Sequence, residues 1–169
     1  RIKKTRKSFS HKASKMFVMA CQATFEGIKL TKTGGQHGTD AMYRIPKLKA
    51  GLGEAMGVVF EAAGHETVYV AGDTIWRSEV DQAIQTFKPD VIVLNTGNAL
   101  VDGFKESIIM GKEDTYRATQ KAPNAKVVAV HMDAINHMSV TRAELAEYVK
   151  DKGIQDKVLI PIDGETLSF

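Results

Sequence analysis

Hydrophobic and polar positions along the chain fall into two alternating patterns. Short apolar runs, some of them with a period of two residues, predict β-strands. The segments between these runs carry apolar residues at helical spacing and predict α-helices. The predicted strands span residues 28–33, 57–62, 67–71, 90–94, 126–130 and 157–162, and the predicted helices span residues 78–87, 113–121 and 142–152. This alternation favours an α/β domain.

Two of these strands, at 57–62 and 67–71, are separated by only four residues and therefore predict a hairpin. The later strands are continuous apolar runs, which is typical of strands that are buried on both faces. The segment 40–56 contains one proline, Pro46, and two glycines, Gly51 and Gly53, and it predicts a long loop.

Two helices carry recognisable start signals. Ser78 and Thr141 are predicted N-caps, and Thr141 forms a capping box with Glu144, three residues later. Pro89 and Gly153 supply the corresponding stop signals. These boundaries predict two compact helices that pack on the sheet.

Length and composition exclude several classes of protein. A chain of 169 residues with ordinary composition is expected to form one globular domain. The single cysteine, Cys21, cannot form a disulfide within the chain, which favours a reducing, cytoplasmic setting. No apolar run approaches the roughly 18 residues of a membrane span. The basic start is not followed by the pattern of a secretory signal. We therefore expect a cytoplasmic protein without a membrane partner.

Charge is distributed unevenly along the chain. The first 15 residues hold seven basic residues and no acidic ones, which leaves 16 basic against 20 acidic residues in the remainder. We divide the chain into a basic N-terminal segment, 1–24, and a domain, 25–169. The segment is interpreted as a solvated terminus, and contact with nucleic acid or an anionic surface is the alternative. Because no recognition motif accompanies the charge, no nucleic-acid partner is expected.

Polar side chains follow most of the predicted strands at the point where each strand ends. These side chains are His37, Asp73, Asn95, His131 and Asp163. Sites in open α/β sheets lie beyond the carboxyl ends of the strands, so these residues can converge. Imidazole and carboxylate are common ligands of Zn²⁺. The pattern predicts a metal site, and the alternative is that each residue only caps a loop through hydrogen bonds.

Three of these residues lie in longer stretches that carry a family resemblance. The stretches are TGGQHGTD at 33–40, VYVAGDTIW at 68–76 and VVAVHMDAINH at 127–137. In this order they resemble the C-terminal half of a metallo-β-lactamase-fold hydrolase, and they are similar to the branch that includes L-ascorbate-6-phosphate lactonase. The resemblance covers roughly residues 25–169. It implies an αββα sandwich, with a mixed sheet and flanking helices and with metals at one edge between the two sheets.

The resemblance also implies roles for individual residues. His37 matches a ligand of the first metal, Asp73 matches the carboxylate that bridges two metals, and His131 matches a ligand of the second metal. Asp73 is the residue to which it assigns a catalytic part, because the bridge holds the nucleophile in place. The implied cofactor is a divalent metal, with zinc expected first and manganese or iron as alternatives. The implied reaction is attack of a metal-bound hydroxide on the ester, lactone or phosphoester of a small-molecule substrate.

The chain departs from the family pattern in one large respect. The signature His-x-His-x-Asp-His, which supplies the other metal ligands, does not occur in the sequence. We therefore expect a truncated chain with an incomplete site, or ligands supplied by a partner. Half of a sandwich also exposes an apolar sheet face, so we expect a second copy, as in a dimer, or a partner to cover it. The alternative is a non-catalytic remnant that acts as an interaction module on the same scaffold.

Other candidates leave two interpretations open. His137 and Asp133 follow His131 and are either residues that orient a ligand or ordinary loop residues. Asp163 either bonds a ligand histidine or only begins a turn. The remaining histidines, His11 and His65, are expected to be solvated, and the aromatic residues Trp76 and Phe87 are expected to pack in the core.

Overall fold

The computed structural model describes residues 21–133 and 135–169. His11 and nearly all of the predicted basic segment lie outside the described residues. The described part contains one sheet of seven strands, which lie side by side in chain order. The strands are β1 (Gln22–Phe25), β2 (Ile28–Gly34), β3 (Met56–Glu61), β4 (Val68–Val70), β5 (Val91–Asn95), β6 (Lys126–Val130) and β7 (Val158–Leu159).

The sheet is mixed, as predicted, and its two halves are built differently. Neighbours from β1 to β4 pair antiparallel, so the predicted hairpin of β3 and β4 is confirmed. Neighbours from β4 to β7 pair parallel. Strand β1 pairs with β2 from Gln22 onward, and it therefore lies across the boundary predicted between the basic segment and the domain.

Five helices accompany the sheet in the described residues. They are α1 (Asp40–Tyr43), α2 (Pro46–Leu52), α3 (Ser78–Phe87), α4 (Lys112–Lys121) and α5 (Arg142–Asp151). Helices α3, α4 and α5 each connect two parallel strands. Crossovers of this kind are right-handed, so successive connections in one direction along the sheet place their helices on the same face.

The main core lies between that face of the sheet and the three connecting helices. Its members on the strands include Tyr69, Ile92, Leu94 and Val127, and its members on the helices include Val80, Ile84, Leu145 and Val149. Each large apolar side chain buried in this way contributes roughly 1.5–3 kcal/mol. Trp76 and Phe87 pack against this cluster, so the prediction for both aromatic residues is confirmed.

The opposite face of the sheet carries a continuous apolar row. Its members pair directly from strand to strand, and they are Val58, Val70, Val93, Val128 and Leu159. All of them except Val128 are only half-buried. None belongs to the core cluster formed by the described residues on the helix face. We call this set the apolar row.

The prediction of a long loop at 40–56 is wrong, because α1 and α2 occupy most of it. The Thr39 hydroxyl accepts a hydrogen bond from the backbone N–H of Met42 and begins α1. Pro46 begins α2, where its missing N–H is not needed by the helix. Met42 and Leu52 then pack in a second apolar cluster with Ile108, which stabilises both short helices.

Two predicted element ends also differ from the structure. Arg77, rather than Ser78, is the N-cap of α3, and the Ser78 hydroxyl donates to the Glu79 carboxylate instead. Strand β7 ends at Leu159, before Pro161, which has no N–H to donate to a neighbouring strand. The prediction for Thr141 is confirmed, since it caps α5 in a capping box with Glu144.

Two features concern membrane-spanning helices and disulfide bonds. None of the helices in the described part combines the length and the apolar character needed to cross a bilayer. The thiol of Cys21 is exposed and is not part of a disulfide.

The two predicted caps provide a matched test. We expect Thr141→Ala to lower the free energy of unfolding by about 1 kcal/mol, because it removes the hydroxyl that accepts from the Glu144 N–H at 3.2 Å. The control is Ser78→Ala, which removes no cap and should change stability by less than about 0.5 kcal/mol. Urea unfolding of both variants measures the difference, and equal effects would contradict the assignment of the caps.

Candidate metal centre

The directions of the strands bring the predicted site residues to one edge of the sheet. Strands β2 and β4 flank the antiparallel strand β3, so they run in the same direction, and β5 and β6 run parallel to β4. All four strands therefore end at the same edge. His37, Asp73 and His131 lie in the loops that leave this edge, and Asn95 is the last residue of β5.

The turn that carries Asp73 depends on a glycine. Gly72 has a φ of +73°, and a Cβ at this position would lie 2.5 Å from the carbonyl oxygen of Met56. Any other residue would therefore clash with the backbone of β3. The turn is also bonded to the loop that carries His37, because Gln36 donates its N–H to the Thr74 hydroxyl at 2.9 Å and accepts from the Ile75 N–H. Two loops that are distant in sequence are thus held against each other.

Asp73 and His131 face each other at this edge. Asn95 Nδ2 donates to Asp73 Oδ1 at 2.6 Å, and His131 Nε2 lies 3.8 Å from the same oxygen. That separation is too long for a hydrogen bond. It is close to the roughly 3.4 Å between two ligand atoms of a tetrahedral zinc ion with bonds of 2.0–2.2 Å. The side chains are 43% and 32% exposed, so ions in solution can reach them.

The backbone at His131 is strained. Its φ is +62°, and that of Asp133 is +60°, in the left-handed region that costs non-glycine residues about 1–3 kcal/mol. A Cβ on Gly97 would lie 2.3 Å from the carbonyl oxygen of His131, so the close approach of the β5 loop requires glycine there. Strain of this kind persists only where neighbouring contacts hold it, and it is common at functional sites.

Arg142 supplies those contacts for the loop after His131. Its guanidinium donates to the carboxylates of Asp133, at 3.0 Å, and Asp163, and to the carbonyl of Pro161. Asp163 also lies in the turn in which Glu165 bonds the carbonyl of Ile162. The structure therefore agrees with the interpretation of Asp163 as the start of a turn, and it pairs Asp133 with an arginine rather than leaving it free in solvent.

His37 lies in the loop that Gln36 bonds to the Asp73 turn. It is half-buried and lines a cleft together with His137, Leu52 and Met138. Within the described residues, no three His, Cys, Asp or Glu side chains come together as a group that could hold a metal ion. The three-ligand site of His37, Asp73 and His131 therefore stays a prediction, of which the structure juxtaposes two members. His65, in the hairpin turn, is exposed as predicted.

Comparison with known proteins places this geometry in context. No family model matches the sequence. The UPF0173 protein YddR of Bacillus subtilis is 41% identical over 153 residues, which are 90% of this chain and 58% of YddR. The chain thus spans just over half the length of this relative.

Two solved structures are also similar. A "possible metal-dependent hydrolase" from Veillonella parvula is 47% identical, with a TM-score of 0.86 over 88% of this chain and 56% of that one. The isothiocyanate hydrolase from Delia radicum gut bacteria is 46% identical, with a TM-score of 0.85 over 89% of this chain and 58% of that one.

A more distant structure supplies the name of the architecture. The metallo-β-lactamase fold protein YhfI of Bacillus subtilis is 13% identical, with a TM-score of 0.57 over 85% of this chain and 50% of that one. The chain has the metallo-β-lactamase fold. The resemblance found in the sequence is thereby confirmed at the level of the fold, and membership of the lactonase branch stays a prediction.

Within this metallo-β-lactamase-fold chain, sequence reasoning missed the roles of two residues. The sequence indicates only that Asn95 is a polar residue at a strand end and that Arg142 is the first residue of a helix. The signal for Asn95 was its position on the strand between those that lead to Asp73 and His131. Arg142 follows an N-cap and gives no local signal, because its partners lie 9 and 21 residues away.

The carboxylate of Asp40 holds the His37 loop in place beside this edge of the sheet. Asp40 Oδ1 accepts hydrogen bonds from Gln36 Nε2 at 2.8 Å and from the Arg77 guanidinium at 2.9 Å. These bonds, the Gln36 bond foremost, hold the pKa of Asp40 below its ordinary value of 3.8. Because the folded pKa is lowered, the stabilisation is present above pH 3.8 and is lost as the pH falls through the folded pKa.

We expect Gln36→Ala to move the pKa of Asp40 back toward 3.8, because it removes the larger of the two bonds. A titration followed by carboxyl ¹³C NMR measures the pKa in both proteins. Gln120→Ala, on the outer surface of α4, is the matched control and should leave the titration of Asp40 unchanged. A pKa that does not respond to Gln36→Ala would contradict the bond.

Proposed function

We propose that this chain is part of a metal-dependent hydrolase, in which Asp73 and His131 hold a divalent metal and His37 is a further ligand. The observation that carries the proposal is the 3.8 Å approach of His131 Nε2 to Asp73 Oδ1 at an open sheet edge. Carboxylate and imidazole together suit zinc, and they also suit manganese or iron. The names of the similar structures, a metal-dependent hydrolase and an isothiocyanate hydrolase, support the same class of activity.

The chemistry of the proposed reaction is hydrolysis of an ester, lactone or phosphoester bond of a small molecule. A bound divalent metal would supply a Lewis acid that polarises the substrate and lowers the pKa of bound water toward about 7. Asn95 fixes the orientation of the Asp73 carboxylate through its short bond to Oδ1. Arg142 bonds Asp133, two residues after His131, and so would hold this loop in place beside a bound metal.

We further propose that the site is incomplete in this chain. The relatives are nearly twice as long as the region that this chain matches, and the remaining ligands would come from the unmatched part of the fold. The apolar row supports the same idea, because its half-exposed valines form a ready surface for a second layer. One missing piece would thus complete the metal site and cover the open sheet face.

A second candidate is a non-catalytic scaffold that binds metal weakly or not at all. One observation favours it: the described residues contain a pair of candidate ligands in contact but no group of three. Metal binding distinguishes the two candidates directly.

Removal of single ligands tests the proposed site. We expect Asp73→Ala, His131→Ala and His37→Ala each to weaken zinc binding by roughly tenfold or more, because each removes a direct ligand. Isothermal titration of the full chain with zinc measures the affinity and the stoichiometry. His65→Ala, which removes an exposed imidazole from the hairpin turn, is the matched control and should bind zinc as the unmodified chain does.

Zinc affinity that is unchanged in all three variants would overturn the assignment of the ligands. Hydrolysis is measured in parallel on zinc-loaded protein with 4-nitrophenyl acetate, a δ-lactone, 4-nitrophenyl phosphate and benzyl isothiocyanate. Turnover of at least one probe that depends on Asp73 supports the hydrolase. Zinc binding without turnover of any probe, when the missing part of the fold is also present, favours the non-catalytic scaffold.

The apolar row provides a test of the missing layer. We expect the chain to form a 1:1 complex when it is co-expressed with the part of YddR outside the matched region. We also expect Val93→Lys to abolish the complex, because it places a charge in the middle of the row. Ile162→Lys changes an exposed residue outside the row and is the control. Light scattering measures the mass, and a homodimer of about 37 kDa, twice 18.5 kDa, would show instead that a second copy covers the face.

A further inference from the structure

A cleft opens beside the proposed metal site. It has a volume of about 720 Å³ and is large enough for a small organic molecule. Its apolar wall consists of Leu52, Leu100, Val101, Ile108 and Met138, and both His37 and His137 also line it. Leu100 is 37% exposed, although it is a large hydrophobic residue. The cleft therefore combines an accessible apolar surface with two imidazoles.

Contacts at two points join the cleft to the metal-site loops. Gly38, which follows His37, lies so close to the wall that a Cβ there would be 3.2 Å from Ile108 and 3.3 Å from Leu52. A Cβ on Gly97 would lie 2.4 Å from the Met138 sulfur and 2.3 Å from the carbonyl oxygen of His131, so Gly97 packs between these two atoms. A molecule in the cleft would thus lie next to His37 and close to the loop that packs against the backbone of His131.

The charge of the cleft restricts what it can bind. Its lining in the described structure includes the acidic residue Asp102 and no lysine or arginine. Sites for phosphate groups rely on cations or on clusters of N–H donors, and a nearby carboxylate repels a phosphate. The cleft is therefore suited to a neutral, apolar group and not to a phosphorylated one.

We propose that this cleft binds the apolar portion of an uncharged small substrate, and that Leu100 and Met138 determine the specificity for it. The inference rests on the proposed function, because it assigns a substrate class to the same site. It narrows the three bond types considered there to those in uncharged compounds, namely esters and lactones with a hydrocarbon group. The lining carries Asp102 and contributes no lysine or arginine that could hold a phosphate, so the cleft itself favours the uncharged compounds.

Binding of stable probes tests the cleft without any need for turnover. The probes are N-ethyl-, N-butyl- and N-hexylacetamide, which are neutral, with glucose 6-phosphate as the phosphorylated comparison. The full chain is labelled with ¹³C at the methionine methyl groups, and Met138→Leu identifies the Met138 signal. We expect a saturable shift of this signal with the amides, with affinity rising roughly fourfold for each added methylene. We expect no shift with glucose 6-phosphate.

Two matched variants locate the binding. Leu100→Asp should weaken amide binding at least tenfold, because it places a charge on the apolar wall. Val93→Asp, which changes the apolar row on the sheet face, should leave it unaltered. A Met138 signal that responds to glucose 6-phosphate, or amide affinity that ignores Leu100→Asp and chain length, would overturn the proposal. Amide binding in the cleft of a protein that binds no zinc would count against the metal hydrolase alone.

Discussion

The common direction of four strands is the constraint on which the candidate site depends. Residues that lie between 22 and 94 positions apart come to one edge because β2, β4, β5 and β6 all end there. Asp73 and His131 lie in different loops, so no interaction between residues close in sequence could bring them together. The main core between the sheet and the three connecting helices keeps β4, β5 and β6 in register, so packing on one side of the sheet maintains the geometry at its edge.

Close backbone approach is the second requirement of the edge. The loops carrying Asp73 and His131 are both positioned by glycines that contact a neighbouring carbonyl oxygen, at Gly72 and Gly97. The left-handed backbone at His131 is unfavourable by itself and persists because the surrounding contacts determine it. The backbone of both loops is thus fixed by packing, and Asn95 in addition orients the Asp73 carboxylate.

Much of the fold could be predicted from the sequence, because the parallel half consists of long apolar runs and capped helices with strong periodic signals. The strand-end positions of Asp73 and His131 were predictable for the same reason. The short helices at 40–52 were not, since their stability comes from packing of Met42 and Leu52 on residues near position 108. Asn95 and Arg142 were missed because their roles exist only through contacts across strands and loops.

The arginine at the start of α5 links the last turn of the chain to the candidate site. The Arg142 guanidinium donates hydrogen bonds to the Pro161 carbonyl, to Asp163 and to Asp133. The turn that contains Pro161 and Asp163 is thereby joined to the loop that follows His131, some thirty positions earlier. Substitutions at residues 161–163, which are far in sequence from any proposed ligand, can therefore shift the loop that follows His131 without removing a donor atom from the site.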